Sequence, residues 1–584
     1  MMSGAVHQNS DRLGAPGAGD VGGNEHRRHI GWCVLLTVAC LLPFVGKAFH
    51  IDDTVFLRTA QHIQQDPIDF YGLDTFTSGK RLSMAAHALN PPLMSYVVAL
   101  VALVAGWHEV AMHLAMLVPA VAACLGTYCL ARRFCTRPLD AAAGAVLTPV
   151  FLVSSTTVMC DVLMVALYIW AIELWARGLD RDRVGWLVAS GACAGVCFLV
   201  KYFGLTLVPL LAVYGLLLRR RPGWWLLPLA IPFVVVAGYE WMTYALYGRG
   251  LFYNALFRTS SHPVEPTLWL HRSISGLCFA GGCNAVVLFF TPLLWRRRSL
   301  VFGGVAVIVC VVALSFAEKV SGLRLRDADG VHWVKVGQVA LFTAAGLQVL
   351  VLVVLDLIHR RDESSCLLAC WILGTFVFTT YINWSVTART ILPMAPALGI
   401  VLARRIDHGS GAAAWKRICA LGATGLLSIA VARSDTLWAN SVRDAVQRGM
   451  QVVEGHPGKI HFHGRWGFQW YMESFGARPL DMEQLNQLAP GDLIVVAENN
   501  LAAPRPPAHI VAAVYKAQSS GSRGLAVMWK AAGAGFYSDK WGPMPFAIGP
   551  VPPDRYTLYV LGERSSELQS ALTRSDWWIE APPD

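Results

Sequence analysis

Apolar runs of about twenty residues, broken at intervals by short arginine clusters, recur from Ile30 to Ala432 of this 584-residue chain. About 20 residues of α-helix cross the roughly 30 Å of a bilayer's hydrocarbon. Lipid offers backbone N–H and C=O groups no partner, so each run must satisfy its own hydrogen bonds as a helix. The pattern therefore predicts a polytopic α-helical membrane protein. Composition agrees. Charged residues make up 15% and apolar residues 55% of the chain, against about 25% charged in ordinary globular domains, and the mean hydropathy is +0.46. A soluble enzyme, a disordered chain and a small disulfide scaffold are excluded. The formal charge of +10 is the basic excess of cytoplasmic loops, and no nucleic-acid partner is expected.

The basic clusters mark the cytoplasmic side. They are Arg132-Arg133 with Arg137, Arg177 with Arg181 and Arg183, Arg219–Arg221, Arg296–Arg298, Arg360-Arg361, and Arg404-Arg405 with Lys416-Arg417. Counted against them, the spans are 30–49, 111–131, 141–159, 162–177, 185–200, 203–218, 224–244, 275–295, 299–317, 337–357, 365–383, 390–403 and 415–432. That gives about thirteen crossings, an N-terminus in the cytoplasm and a C-terminal part outside. Residues 92–106 are apolar but break the parity, and are read as a short interfacial or re-entrant element. The loop near 319–335 is external by parity although it carries Lys319, Arg324, Arg326 and Lys335.

Three parts follow. Residues 1–29, Gly/Ala-rich and aperiodic, are expected to be a disordered cytoplasmic tail. Residues 30–432 are the transmembrane domain, with a long first outer loop at 50–91. Residues 433–584 are an external soluble α/β domain, because short alternating runs (KIHFHG, DLIVVA, GLAVMW, RYTLYVLG) read as strands and Asp481–Leu488 reads as a helix. No cysteine of the 14 lies beyond Cys419, so disulfides do not hold that domain. Cys193 and Cys197, without a histidine partner, read as buried small hydrophobes.

Polar residues at membrane depth mark function, because charge there is costly without a purpose. Asp52-Asp53 follow the first span, and a partly desolvated member of such a pair can serve as a general base; an N-cap role explains the pair equally well. Asp161 lies alone between the third and fourth spans. Lys201-Tyr202 follow the fifth, where a phosphate contact and snorkelling of the lysine to the interface explain the residue equally well; Arg389 sits in YINWSVTART near Tyr381, and its planar fork there suits a phosphate oxygen. His461 and His463 share a strand face but show no third ligand, so surface histidines are the better reading. The aromatic group Trp466, Phe468, Trp470 and Tyr471 reads as core.

The stretch HIDDTVFLRTAQHIQQDPIDFYG, the Asn90–Leu93 NPPL, Ala131-Arg132-Arg133, Asp161, Lys201-Tyr202 and the Arg389–Pro393 RTILP together resemble the GT-C membrane glycosyltransferases. The nearest group is the bacterial one similar to the protein O-mannosyltransferases and the lipid A aminoarabinose transferase. The resemblance spans about residues 30–405. It implies a GT-C fold in the bacterial inner membrane with a periplasmic C-terminal domain. It also implies inverting transfer of a hexose or pentose from a polyprenyl-phosphate carrier to an external acceptor, whether protein, lipopolysaccharide or another envelope glycan. By that resemblance Asp52 or Asp53 deprotonates the acceptor, Asp161 positions sugar or acceptor, and Arg58, Lys201 and Arg389 hold the donor phosphate. His87, Asn90, Tyr202 and Tyr381 are further substrate-binding candidates. Leu89-Asn90 stand where the aminoarabinose transferase has Glu-Lys, so a phosphate-binding lysine is missing and Lys80, Arg81 or His87 is left to replace it. No cofactor is required by this reading, and a divalent metal stays open. A transporter or lipid flippase is the alternative, disfavoured because no internal repeat is visible and the acids sit at the boundary.

Overall fold

The structure, a computed structural model, describes residues 18–77, 79–260, 269–408, 413–483, 485–499, 506–519, 521–562 and 566–581. Among these residues nine helices are long and apolar enough to cross a membrane, or up to eleven if two bent pairs, Pro138–Val146 with Pro149–Ser155 and Trp269–Cys283 with Val286–Leu294, each count as one span. Every expected span has a helical counterpart. The count of thirteen is nonetheless not reached, because Val184–Val200 and Met394–His408 have 17 and 15 residues. At 1.5 Å per residue such helices cover about 23–26 Å, short of the hydrocarbon thickness.

The basic clusters meet at one end of the bundle and are tied together there. Arg133 bonds Glu173 at 2.7 Å and also pairs with Asp180. Arg137 faces Asp407, Arg404 bonds Asp356 at 2.8 Å, and Arg417 bonds Asp140 at 2.7 Å. The opposite end carries the first outer loop, which folds into a helix (Asp53–Gln65), a hairpin (Asp74–Thr77 with Lys80–Ser83) and a short turn of helix at Met84–His87. Residues 92–106 form the helix Leu93–Ala105, packed on Asp53–Gln65. Its 13 residues reach only about 20 Å. Glu109, just past its end, bonds Arg443 and Tyr471 of the C-terminal part, so both ends of this helix lie on the same side.

Two expected boundaries move. The first helix begins at Ala18, so residues 18–29 are helical rather than a disordered tail; residues 1–17 lie outside the described residues. The break at 433 falls within one continuous helix, Ala414–Val452. Arg433-Ser434-Asp435 do not end it, because apolar residues continue at helical spacing through Trp438, Val442, Ala445, Val446 and Met450. Its 39 residues extend about 58 Å, more than the hydrocarbon needs, so its second half is a stalk. Ala445, Val446 and Met450 there enter the core of the C-terminal sheet.

That sheet has six strands in the order Ile579–Ala581, Val511–Gln518, Arg555–Leu561, Leu493–Ala497, Ile460–His463 and Arg478–Pro479. The first four pair antiparallel and the last two pairings are parallel. Where a helix is expected at 481–488, the described residues form only a 3-10 turn, Leu485–Gln487; residue 484 lies outside the described residues. Outside the sheet, residues 526–547 pack in one core with the membrane helices: Met528, Phe536, Tyr537 and Phe546 are buried there. The 319–335 loop forms two small hairpins, and Leu323 lies against Gly533. That contact puts the basic loop on the side of the C-terminal part.

One buried ion pair joins the end of the first span to the stalk. Lys47 Nζ donates to Asp435 Oδ2 at 2.5 Å, and neither side chain has any exposure. Removing one partner of such a pair strands a desolvated charge and costs about 3–5 kcal/mol, whereas replacing both with apolar groups is close to neutral. Asp435→Leu is therefore expected to lower the thermal midpoint of the detergent-solubilised protein markedly, and Lys47→Met combined with it to recover most of the loss. Equal or additive losses would contradict a paired charge.

Candidate catalytic cavity

Between the first outer loop and the outer ends of the spans lies a cavity of about 600 Å³. Its lining is largely apolar, with Phe56, Met164, Phe203, Phe233 and Phe252 among the side chains. The polar and charged lining residues include Asp52, His87, Asn90, Lys201, Asn383 and Arg389. Apolar side chains together with fixed cations suit an amphiphile whose head is anionic.

The cations are set from beneath by one carboxylate. Asp161 opens the helix Asp161–Arg181, where free backbone N–H groups favour negative charge. It is buried, accepts from Lys201 Nζ at 2.5 Å through Oδ1, and stands 3.9 Å from Arg389 Nη1 through Oδ2. Arg389 rides on the one-turn helix Ala388–Ile391, which a reciprocal Thr387–Thr390 capping box fixes. Its Nη2 donates to Asp52 Oδ2 at 2.7 Å, and its Nη1 lies 2.9 Å from Met159 Sδ. The chain reaches it through a π-helical turn, Phe378–Ile382, a feature common where a helix is bent to a task.

The expected residues separate into three groups. Asp52, Lys201, Arg389, His87, Asn90 and Tyr202 line the cavity. Asp161 is not among the residues that line the cavity; its carboxylate lies against Lys201 and Arg389, which do. Asp53, Arg58 and Tyr381 are turned elsewhere. Asp53 is fully buried; its two oxygens accept the backbone N–H groups of His50 (3.1 Å) and Val158 (2.8 Å). That is the anchoring role the N-terminal carboxylate of a helix offers, and it leaves Asp52 to face the cavity. Arg58 pairs with Glu473 at 3.6 Å, because Val55, Phe56 and Thr59 take the cavity side of its helix. Tyr381 bonds Ser273 at 2.7 Å, while its neighbours Ile382 and Asn383 line the cavity. Of the replacements for the missing lysine, Arg81 bonds Asp74 on the hairpin, and His87 reaches the cavity.

Sequence reasoning missed the network under the acid pair. Asp435 binds Lys47 and lies 3.3 Å from His50 Nε2, and Tyr537 Oη donates to Asp435 Oδ2 at 2.9 Å. Burial first, then the charge of Lys47 and His113, holds the His50 imidazole well below its ordinary value, so it enters this network neutral. Lys47, a lone lysine three residues before His50, is the available signal; Asp435, just past the expected boundary at 433, carries none. Among the described residues no three His, Cys, Asp or Glu side chains stand together as a metal site.

Residues 89–239 match the sequence model of the family described as dolichyl-phosphate-mannose-protein mannosyltransferase. The resemblance read from the motifs holds over that stretch. It contains Asn90, Asp161, Lys201 and Tyr202 and leaves Asp52 and Arg389 outside. None of the curated protein sequences matches the chain. Similar solved structures include the Archaeoglobus fulgidus oligosaccharyltransferase tethered to an acceptor peptide, with 12% identity, TM-score 0.47, and coverage of 78% of this chain and 64% of that one. This chain thus spans less than two thirds of that protein's length. ArnT from Cupriavidus metallidurans bound to undecaprenyl phosphate has 14% identity, TM-score 0.39, and coverage of 82% and 93%. The arabinofuranosyltransferase AftD from Mycobacteria has 11% identity, TM-score 0.39, and coverage of 93% and 40%.

Burial raises the Asp53 carboxyl to about 7, against the opposing pull of Lys47 and of its two backbone hydrogen bonds. A carboxyl raised on folding takes up its proton in the folded state first. Its contribution to stability is present below the unfolded value of about 3.9 and is lost as pH rises through about 7. The advantage of the unaltered protein over Asp53→Asn in thermal midpoint is expected to shrink between about pH 4 and about pH 7. A difference that stays constant would show that Asp53 does not titrate there.

Proposed function

We propose that this chain is an inverting glycosyltransferase of the bacterial inner membrane, moving a sugar from a polyprenyl-phosphate carrier to an acceptor on the periplasmic side. The observation that carries the reading is the pair of cations in the cavity lining: Lys201 and Arg389, both within reach of one buried aspartate and next to the part-exposed Asp52, in a cavity otherwise lined mostly by apolar side chains. The apolar side chains take the isoprenoid chain. The two cations take the phosphate.

In the resting protein Arg389 is bonded to Asp52. A donor phosphate competes for the guanidinium and releases the Asp52 carboxylate toward the acceptor. Asp52 then accepts the acceptor's hydroxyl proton as its oxygen attacks C1 of the sugar. The C1–O bond to the phosphate breaks with inversion, and the polyprenyl phosphate leaves with its electron pair. Charge grows on the leaving phosphate in the transition state, and preoriented cations are strongest against charge that develops beside them. His87 and Asn90, on the facing loop, contact the sugar. The acceptor is a protein, lipopolysaccharide or another envelope glycan presented from the side on which the C-terminal sheet lies.

Asp52→Asn is expected to lower transfer by about 10²–10⁴-fold, the range for a positioned general base, with binding of undecaprenyl phosphate retained. Arg389→Ala is expected to weaken that lipid's binding more than the acceptor's. The transfer itself is read by mass spectrometry of envelope glycans and glycoproteins from cells with the unaltered gene and with the Asp52→Asn allele: one sugar-sized mass disappears from one acceptor. Identical envelopes and unchanged turnover would remove Asp52 from the chemistry.

A further inference from the structure

Arg389 stands on a turn that the C-terminal part grips from outside. The segment 536–539 runs along residues 385–388 and bonds them repeatedly. The Ala388 N–H donates to the Phe536 carbonyl at 2.8 Å, and the Asp539 N–H donates to the Val386 carbonyl at 2.9 Å. The Asp539 carboxylate closes the clip, accepting from Ser385 Oγ at 2.7 Å and from the Val386 N–H at 3.1 Å. Between the two ends of the clip lies Tyr537. Its ring faces the Arg389 guanidinium, 5.7 Å from ring centroid to Cζ. Its hydroxyl is fixed by the buried Asp435 at 2.9 Å, which Lys47 in turn neutralises.

Arg389 is thus held on three sides: by Asp161 and Met159 below, by Asp52 at the cavity edge, and by an aromatic face supplied from far along the chain. The Asp52 contact is the one a phosphate would displace. Once it is lost, the tyrosine face and Asp161 remain to keep the guanidinium in place. An arginine whose fork must meet a phosphate in one plane gains most from a support that limits its rotation.

We infer that Tyr537 is a positioning residue for Arg389, and that the C-terminal segment 536–539 completes the donor-phosphate site that the membrane helices begin. The link to phosphate rests on the donor reading above; the hold on Arg389 does not.

The experiment uses the full chain in detergent, with Tyr537→Leu, Tyr537→Phe, Arg389→Ala and the double variant Arg389→Ala/Tyr537→Leu. Leucine removes both ring and hydroxyl, whereas phenylalanine removes the hydroxyl alone. Undecaprenyl phosphate is expected to bind Tyr537→Leu about tenfold more weakly, the scale of a desolvated cation–aromatic contact, and Tyr537→Phe within about twofold of the unaltered protein. Because Tyr537 acts through Arg389, the double variant is expected to bind no more weakly than Arg389→Ala alone. Additive losses, or equal losses for leucine and phenylalanine, would overturn the inference by showing a merely structural tyrosine.

A second readout needs no lipid: phenylglyoxal labelling of Arg389, followed by mass spectrometry, is expected to quicken several-fold in Tyr537→Leu and not in Tyr537→Phe. Unchanged labelling overturns the positioning role. Faster labelling in a protein that takes up no undecaprenyl phosphate supports the positioning role and strikes the donor reading instead. Faster labelling with unchanged lipid affinity overturns the link to phosphate.

Discussion

Ionised groups beside a hydrocarbon phase persist only where each meets an opposite charge, and this constraint organises the outer end of the molecule. Asp161 serves two cations at once, and Lys47 with Asp435 forms a second centre about which the first loop, the stalk helix and the C-terminal segment close. The two centres are joined through Tyr537, which touches Arg389 on one side and Asp435 on the other. At the cavity the charges balance, Asp52 and Asp161 against Lys201 and Arg389, and Arg389 is shared between the two carboxylates; in the proposed reaction an incoming anion takes the place of Asp52, the more exposed of them.

The same constraint explains why the C-terminal part is not a separate module. Its sheet has its own core, yet residues 526–547 are buried with the membrane helices and Arg58 is matched by Glu473. Arg465, on the turn just before Trp466, feels the charge of Asp52. Trp466 itself adopts a left-handed backbone, φ 63°, unusual for a bulky residue, and Gly467 beside it lies so close to the Phe49 carbonyl that a Cβ would fall 2.3 Å from the oxygen. Close fit at that point fixes the backbone that leads directly into His50 and Asp52.

What was legible in the sequence follows from the range over which each signal acts. Helical spans are local properties of twenty-residue windows, and the ion pairs that join Arg133, Arg137, Arg404 and Arg417 to partners on other helices show the flanking arginine clusters gathered at one end. Asp52, Lys201 and Arg389 were legible because charge in an apolar setting stands out. The choice between Asp52 and Asp53 was not, since adjacent residues on a helix differ only by a rotation that packing decides. Arg58 looked as good a cation as Arg389 until Glu473, some four hundred residues away, took it. Tyr537 and Asp435 were invisible for the converse reason: a tyrosine in a polar loop and an aspartate in a long helix carry no mark of what they will meet.

Displacement of Asp52 from Arg389 by a lipid phosphate is the central step of the proposed reaction. An experimental structure of the full chain with undecaprenyl phosphate tests this directly. Phosphate oxygens within about 2.7–3.2 Å of both Arg389 and Lys201, with the Asp52–Arg389 bond opened and the isoprenoid along the cavity's apolar side chains, are the predicted result. A lipid phosphate bound elsewhere, with the Asp52–Arg389 pair intact, would contradict it.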